Sequence, residues 1–383
     1  MNRPTYTTSQ SWLEISRANL LHNVDVIRKK IGPDVGIAAV VKANAYGHGY
    51  NEVASILEME GISFLAVHSF EEALYLRENE FSARILIVGY TPMDQLKEAV
   101  ERKFHLTVYN LETLKKLKSF KASHRARVHL KLETGTNRQG IDEKDLPKFL
   151  EIMKSNDNIC MTGVSMHFAN IEDTTDHSYA AHQLERYNKL VAMIEKAGFE
   201  IRYKHTASSA ASLLFAKTHF DLIRFGISLY GLWPSKETYL SYRLAGGENN
   251  LLKPALTWKT KISQIKKVPR DSFIGYGCTY RTTTNSKIAV LPIGYFDGYD
   301  RRLSNLGYVL IKGRRAPVRG RVCMDNVMVD ITDIPDVRLE DEAVLLGKQG
   351  NEQISAEQMA SWAGTINYEI VSRINPLLPR KIV

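Results

Sequence analysis

The stretch AAVVKANAYGHGY, Ala38 to Tyr50, ends an apolar run on a lysine. Ala38–Val41 has the character of a buried strand, and Lys42 closes it. A lysine there either reaches solvent along its aliphatic stem or meets a group that offsets its burial. An amine held among apolar neighbours loses basicity, and in its neutral form it can form a Schiff base with a carbonyl. Other chemistry-bearing residues recur in or just beyond later apolar runs: Lys131, Arg138, His167, Ser208, Ser209 and Arg224, the last followed by Gly226 and Ile227. Any one of them alone reads as a satisfied polar residue.

The elements that must position them are short. Apolar runs recur as GIAAVVK, ISFLAVHS, RILIVGY, HLTVYN, RVHLKLE, MTGVSMHF, RYKHTASS and DLIRFGISLYG. Charged segments with helical periodicity lie between most of them, as in MDQLKEAVERK and NLETLKKLKSF. Between Ser178 and Phe199, Leu184, Tyr187, Val191 and Ile194 share one helical face, and Leu20, Val24 and Ile27 do the same ahead of the first run. Eight strands alternating with helices over about 230 residues predict an α/β fold, a (β/α)8 TIM-type barrel. An open doubly wound sheet is the alternative, weakened by the lack of a GxGxxG loop after the first strand.

Beyond Leu232 the pattern changes. WPSKETYLSYRLAGGENNLLKP reads as a polar connection without a clear strand. It is followed by LTWKTKISQIKKV, KIAVLPIGY, YVLIKG, APVRGRVCM and VMVDITDI, which alternate as strands do, and then by a helix candidate, SAEQMASWAG. The reading is a barrel domain over 1–244 and a mostly-β domain over 245–383, with the first ~12–16 residues packed against the latter.

In such a barrel the active site lies at the carboxyl ends of the strands, and phosphate binds the loops after the last two. Lys42 then ends the first strand and Lys131 sits in the fifth, with Arg138 in its loop. His167 ends the sixth, Ser208 and Ser209 end the seventh, and Arg224 lies in the eighth. Seven such residues at one mouth form a constellation. The hydroxyls and the glycine-exposed backbone suit a phosphate, the lysine a carbonyl, and the arginine a heteroaromatic ring nitrogen with the His167 imidazole near it. Together these would hold pyridoxal 5'-phosphate.

Composition limits the alternatives. The chain has 383 residues, a net charge of +9 and 44% hydrophobic residues, as an ordinary globular protein does. Its positive charge is spread along the chain, with no basic stripe interleaved with aromatics, so nucleic acid is not the expected partner. The one basic cluster, Lys312–Arg321, reads as two short strands around a turn. Cys160, Cys278 and Cys323 lack metal-ligand spacing, so no metal is expected. No run approaches the roughly 18 apolar residues of a membrane span, and MNRPTYTTSQSW has no secretory pattern, so a cytoplasmic protein is expected.

The sequence resembles the alanine racemase family of barrel-type pyridoxal-phosphate enzymes. The resemblance runs from SWLEISRANLLHN to NYEIVSRINPLLPR, through VVKANAYGHG, HTASSAAS, DLIRFGISLYG, GYGCTY, IGYFDGYDRR, RGRVCMDNVMVD and TINYEIVSRI. It implies that Lys42 carries the cofactor and acts as one acid-base residue. Tyr276 is then the second base, reaching the site from the other subunit of a homodimer. It further implies phosphate contacts from Tyr46, Ser209, Gly226, Ile227 and Tyr368, with Ser208 alongside. Arg224 would bond the pyridine nitrogen, with His167 packed by the ring. Arg138 and Met324 would hold the substrate carboxylate, Tyr295 would stand at the site entrance, and Lys131 matches a lysine often carbamylated. Cys323 and Asp325, flanking Met324, join the candidate site. The implied reaction interconverts L- and D-alanine by two bases, supplying D-alanine to the cell wall.

Glu133, Thr136-Asn137, Ser208 and Phe296 depart from the family's usual residues, as does the tail PLLPRKIV. The changes around Arg138 and Phe296 leave serine or a broader amino-acid range open beside alanine. A barrel-type amino-acid decarboxylase would share the lysine and phosphate loops. Arg224 and Tyr276 count against it, because decarboxylation profits from a protonated ring nitrogen.

Overall fold

The computed structural model describes residues 9–119 and 123–383. The eight apolar runs form one parallel sheet. Its strands are β2 (Gly36–Val40), β3 (Phe64–Val67), β4 (Arg84–Ile87), β5 (His105–Val108), β6 (Ala126–Lys131), β7 (Ile159–Ser165), β8 (Tyr203–His205) and β9 (Leu222–Phe225). The order β8-β7-β6-β5-β4-β3-β2-β9 brings first and last strands together through β2 and β9. Backbone bonds from Asp221 N–H to Lys204 O and from Arg224 N–H to Ala207 O bridge the remaining seam. This is the expected barrel. Its strands are covered on both faces, which is why they read as near-continuous apolar runs.

Helices separate the strands: α1 (Arg17–Ile31), α2 (Lys42–Tyr46), α3 (Tyr50–Met59), α4 (Phe70–Glu78), α5 (Leu96–Glu101), α6 (Leu111–Ser119), α7 (Leu146–Lys154), α8 (Ser178–Lys196), α9 (Ser209–Leu214) and α10 (Lys236–Leu244). Helix α8 buries Leu184, Tyr187, Val191 and Ile194, and α1 buries Leu20, Val24 and Ile27, on the expected faces. Within the polar connection after Leu232, Ser235 accepts the N–H of Thr238 and starts α10, a helix that the sequence reading does not identify.

Two of these segments depart from ordinary geometry. In α2, Ala43, Asn44, Ala45 and Tyr46 have φ of 54, 54, 52 and 52°, so the turn following Lys42 is left-handed. For L-residues that conformation costs roughly 1–2 kcal/mol each, and it persists only where neighbours over-determine it. The barrel interior is also unusual. Layers of branched aliphatic side chains are the norm there, yet β5, β6, β8 and β9 contribute His105, His129, His205 and Arg224. Gly163 on β7 leaves room for this column, since a Cβ there would lie 2.3 Å from His129 Nδ1.

Two compact units are present. One comprises Leu20–Ala43 and Val53–Lys253; the other comprises the described residues up to Asn19, Asn44–Glu52 and Pro254–Val383. The second unit is mostly β. Strand β1 (Ser11–Ile15) lies between β10 (Leu256–Lys261) and β18 (Arg380–Ile382), in a sheet that continues through β16 (Glu342–Gln349), β13 (Tyr308–Ile311) and β14 (Arg314–Pro317), with β17 (Glu352–Ile354) on β16. Strands β11 (Gln264–Val268), β12 (Ser286–Leu291) and β15 (Val327–Asp330) form a second sheet, and α11 (Ala356–Ala363) and α12 (Asn367–Ser372) follow. The expected packing of the N-terminal residues concerns in part residues 1–8, which lie outside the described residues. The basic cluster folds as β13 and β14 around Lys312-Gly313, with Arg315 paired to Glu352 and Arg319 to Asp330.

No helix among the described residues is long and apolar enough to cross a membrane. No cluster of three or more His, Cys, Asp or Glu side chains among them is arranged to hold a metal.

Gly47 closes the left-handed turn at φ 81°, and a Cβ there would meet Val371 O at 1.9 Å. Gly198 has a similar φ of 87° but open space around it. Gly198→Ala should therefore cost about 1 kcal/mol, the backbone penalty alone. Gly47→Ala should cost at least about 2 kcal/mol more because backbone must move. Urea midpoints of the two variants check this, and equal losses would contradict the assigned crowding.

Candidate active site

The barrel unit gathers five of the expected residues into one electrostatic neighbourhood. Lys42 stands one residue past the β2 extension at Val41, whose N–H bonds Ala66 O. Its amine is held below the usual lysine range, first by burial, then by the cation of Arg138; the carboxylates of Glu72 and Glu172 oppose this, and Arg224 adds to it. Lys131 ends β6 and is pushed down to about 8, by burial first and then by Arg224 and Arg138. Its Nζ donates to Gln139 Oε1 at 3.1 Å, and Gln139 Nε2 donates to the Tyr109 hydroxyl at 3.0 Å. His167 lies two residues past β7. Burial, then Arg224, Lys131, Arg138 and Lys42, hold its ring neutral, well below the ordinary histidine range.

Arg224 shows what its surroundings leave available. Nη1 donates to His205 Nδ1 and His205 O at 2.8 and 2.7 Å, and Nη2 to Met166 O and Thr206 O at 2.8 and 3.0 Å. A guanidinium has five N–H donors, so the Nε–H is the one these partners do not use. Burial lowers its pKa to about 10, so it remains a cation at neutral pH.

Because a guanidinium only donates, His205 must accept at Nδ1 and carry its proton on Nε2. His205 Nε2 then donates to His129 Nδ1 at 2.9 Å, and His129 Nε2 to His105 Nδ1 at 2.9 Å. The three rings are neutral: burial drops His105 to about 3, and holds His129 and His205 well below the ordinary range. Arginine at one end thus sets three tautomers in a row.

The ends of β8 and β9 build the next part. Ser209 opens α9 and its Oγ accepts the N–H of Gly226 at 3.0 Å and of Ser228 at 3.3 Å, leaving its own O–H as a donor. Ser208 is the N-cap residue of α9, without a side-chain cap bond. Ile227 is the first residue of a helical turn, Ile227–Tyr230, and its N–H has no acceptor within that turn.

The other unit holds the remaining candidates. Tyr46 and Tyr368 stand with ring centroids 6.1 Å apart. Tyr295 N–H bonds Cys323 O and Phe296 N–H bonds Met324 O, both at 3.1 Å, so these two loops are one structure. Asp325 lies close enough to raise the pKa of Asp297, whose burial is the larger cause, and burial also raises the Cys323 thiol. Tyr276, in the turn Tyr276–Cys278, is 74% exposed, and its hydroxyl has no hydrogen-bond partner among the described residues. Met324 and Phe296 are likewise exposed, at 53% and 60%.

Sequence reasoning missed Gln139, Tyr109, Glu72, Glu172 and the histidine column. A capping pattern at Ser69 and Glu72 was legible; the contacts between strands were not.

A parallel barrel with nucleophilic and cationic groups at its strand ends, joined to a mostly-β domain, marks a class of barrel enzymes. The alanine racemase N-terminal domain matches residues 15–234, and the alanine racemase C-terminal domain matches 255–382. The chain belongs to the alanine racemase family and is an amino-acid racemase. It is 38% identical to an alanine racemase of Leptospira interrogans over 98% of this chain and 96% of that protein. It is 42% identical to one of Halothermothrix orenii over 98% and 97%. Among solved structures, alanine racemase from Bacillus anthracis with bound L-Ala-P superimposes with a TM-score of 0.91 at 37% identity, covering 98% of this chain and 95% of that one. The Clostridium difficile 630 enzyme in complex with cycloserine gives 0.89 at 35%, covering 98% and 96%.

The Lys131 shift has a stability consequence. Between about 8 and 10.5 the unfolded chain binds more protons at this group than the folded one, so its destabilising contribution is full below 8 and fades as pH rises to 10.5. Lys131→Met should therefore gain stability over the parent at pH 7, and that gap should narrow towards pH 10.5. A gap independent of pH in parallel urea titrations would contradict the depressed basicity.

Proposed function

We propose that the chain is a pyridoxal-phosphate-dependent alanine racemase with Lys42 and Tyr276 as its two bases. The observation that carries this reading is the half-buried Lys42 amine of lowered basicity beside an Arg224 whose Nε–H is the donor left over. The donor set fits the cofactor: an amine for the carbonyl, Nε–H for the ring nitrogen, and the Ser209 hydroxyl and Ile227 N–H for the phosphate. In this reading Gly226, Tyr46 and Tyr368 would complete the phosphate contacts, with Ser208 alongside and His167 by the ring.

When bound, the cofactor supplies an electron sink that acidifies the substrate's α-proton. Racemisation removes that proton from one face and returns one to the other, so it needs two bases on opposite sides. Lys42 Nζ serves one face. The hydroxyl of Tyr276 of the partner subunit serves the other, and its exposure in one chain supports a role that a homodimer completes. Arg224, unable to surrender its proton, would leave the ring nitrogen of the bound cofactor unprotonated and so limit side reactions. Arg138 and Met324 hold the substrate carboxylate, with Cys323 and Asp325 flanking Met324 and Tyr295 at the entrance. The lowered pKa of Lys131 makes its amine available for carbamylation, and the added negative charge would orient Arg138. The substrate is alanine, whose methyl asks for little room, and the product D-alanine serves cell-wall synthesis in the cytoplasm.

Incubation with L-alanine followed by chiral separation tests the reading. The holoenzyme should yield D-alanine, and borohydride should bleach its visible band and label Lys42. Lys42→Ala should show no racemisation. Full activity in that variant without an added amine would falsify the assignment.

Tyr276→Phe should slow turnover by about 10²-fold, and unequally for the two enantiomers in α-deuteron exchange, because each base serves one face. Mixing Lys42→Ala and Tyr276→Phe proteins under subunit exchange should restore some activity, since a hybrid contains one intact site. No recovery despite measured exchange would mean that the site is built within one chain.

A further inference from the structure

Glu72 holds more than its own helix. As the N3 residue of α4 it completes a capping box with Ser69, whose Oγ accepts the Glu72 N–H at 3.3 Å. That box uses one carboxylate oxygen: Glu72 Oε2 accepts His68 N–H at 2.6 Å and Ser69 N–H at 3.4 Å. The other oxygen, Oε1, reaches the preceding strand-helix unit and accepts the N–H of Ala43 at 2.7 Å. Ala43 is the residue after Lys42 and the first of the four left-handed residues. Helix capping does not require that bond.

We infer that Glu72 is a positioning residue for Lys42, its carboxylate clamping the Ala43 amide at the start of the left-handed turn and so setting where the lysine amine stands. The inference rests on the reading of Lys42 as the amine that carries the cofactor. A left-handed alanine survives only when its surroundings hold it, and Ala43 itself is exposed, so packing does not hold it. A charge-assisted bond to a carboxylate that is anchored by two further amides supplies that constraint. Glu72 is also one of two carboxylates, with Glu172, that counter Arg138 and Arg224 at Lys42.

Glu72→Gln, Glu72→Ala and the control Ser69→Ala separate clamping from capping. Ser69→Ala removes the cap's hydroxyl and leaves the Ala43 bond. It should lower the melting temperature while leaving kcat and the pH titration of the bound cofactor's visible band within about twofold and 0.2 unit of the parent. Glu72→Gln keeps the shape but opposes an amide donor to a backbone N–H. It should lower kcat about tenfold with KM changed less than threefold, the signature of a displaced reacting group, and move the titration to lower pH as the protonated lysine nitrogen that carries the cofactor loses a counter-charge. If Glu72→Ala does not fold, the same variant in an Ala43→Gly background, where left-handed φ carries no Cβ penalty, restores folding and keeps the readout. Glu72 variants that lose stability alone, with kcat and titration unmoved, overturn the inference. Borohydride mapping of the parent separates this from failure of the underlying reading: a label away from Lys42 overturns both, whereas a label on Lys42 with unmoved Glu72 variants overturns only the clamp.

Discussion

Positive charge crowded at one end of a barrel is the constraint around which the rest of this site is arranged. Lys42, Lys131, Arg138 and Arg224 each depress the proton affinity of others in the group or of His167. Glu72, Glu133 and Glu172 offset part of that repulsion. Two consequences follow from charge alone. Lowered basicity raises the neutral share of these lysines at any given pH, and the remaining positive potential favours an anionic ligand.

The polar column inside the barrel answers the same constraint. A buried arginine must satisfy its donors, and backbone carbonyls from two strand ends take three of them. The fourth goes to His205, and the proton pattern then passes ring by ring to His105. Neutral imidazoles can do this because each is donor and acceptor at once. A charged ring anywhere in the row would add a cation beneath the mouth, which burial forbids.

Beyond the barrel, the Gly47 loop and the chain's C-terminal segment belong to one unit. Arg380 donates to Gly47 O at 3.1 and 2.8 Å and to the carbonyls of Asn375, Pro376 and Leu378. The unusual tail PLLPRKIV therefore ends in a carbonyl clamp on the loop that follows the left-handed turn. Tyr46 against Tyr368 extends the same association. A turn of strained residues is thus held by partners far along the chain, as strain requires.

Much of this was legible in residue order. Near-continuous apolar runs separated by amphipathic helices specify a parallel sheet covered by helices, and eight such runs without a GxGxxG loop favour the barrel over the doubly wound sheet. The rule that strand ends form the mouth then groups Lys42, Lys131, His167, Ser209 and Arg224 from residue order alone. What residue order could not convey was the hand of the turn after Lys42. Alanine and tyrosine carry no signal for positive φ, and one asparagine that tolerates it does not dictate four left-handed residues in a row, so packing and distant hydrogen bonds select the hand. The partners were hidden for the same reason. Gln139 beside Lys131, Glu72 on Ala43 and the row His105–His129–His205 are joined across strands or loops, and nothing in local periodicity records which side chains face one another inside a closed barrel. Sequence determined the elements and the chemistry at their ends; tertiary structure decided the directions in which those groups are held, because direction depends on neighbours that are remote in the chain.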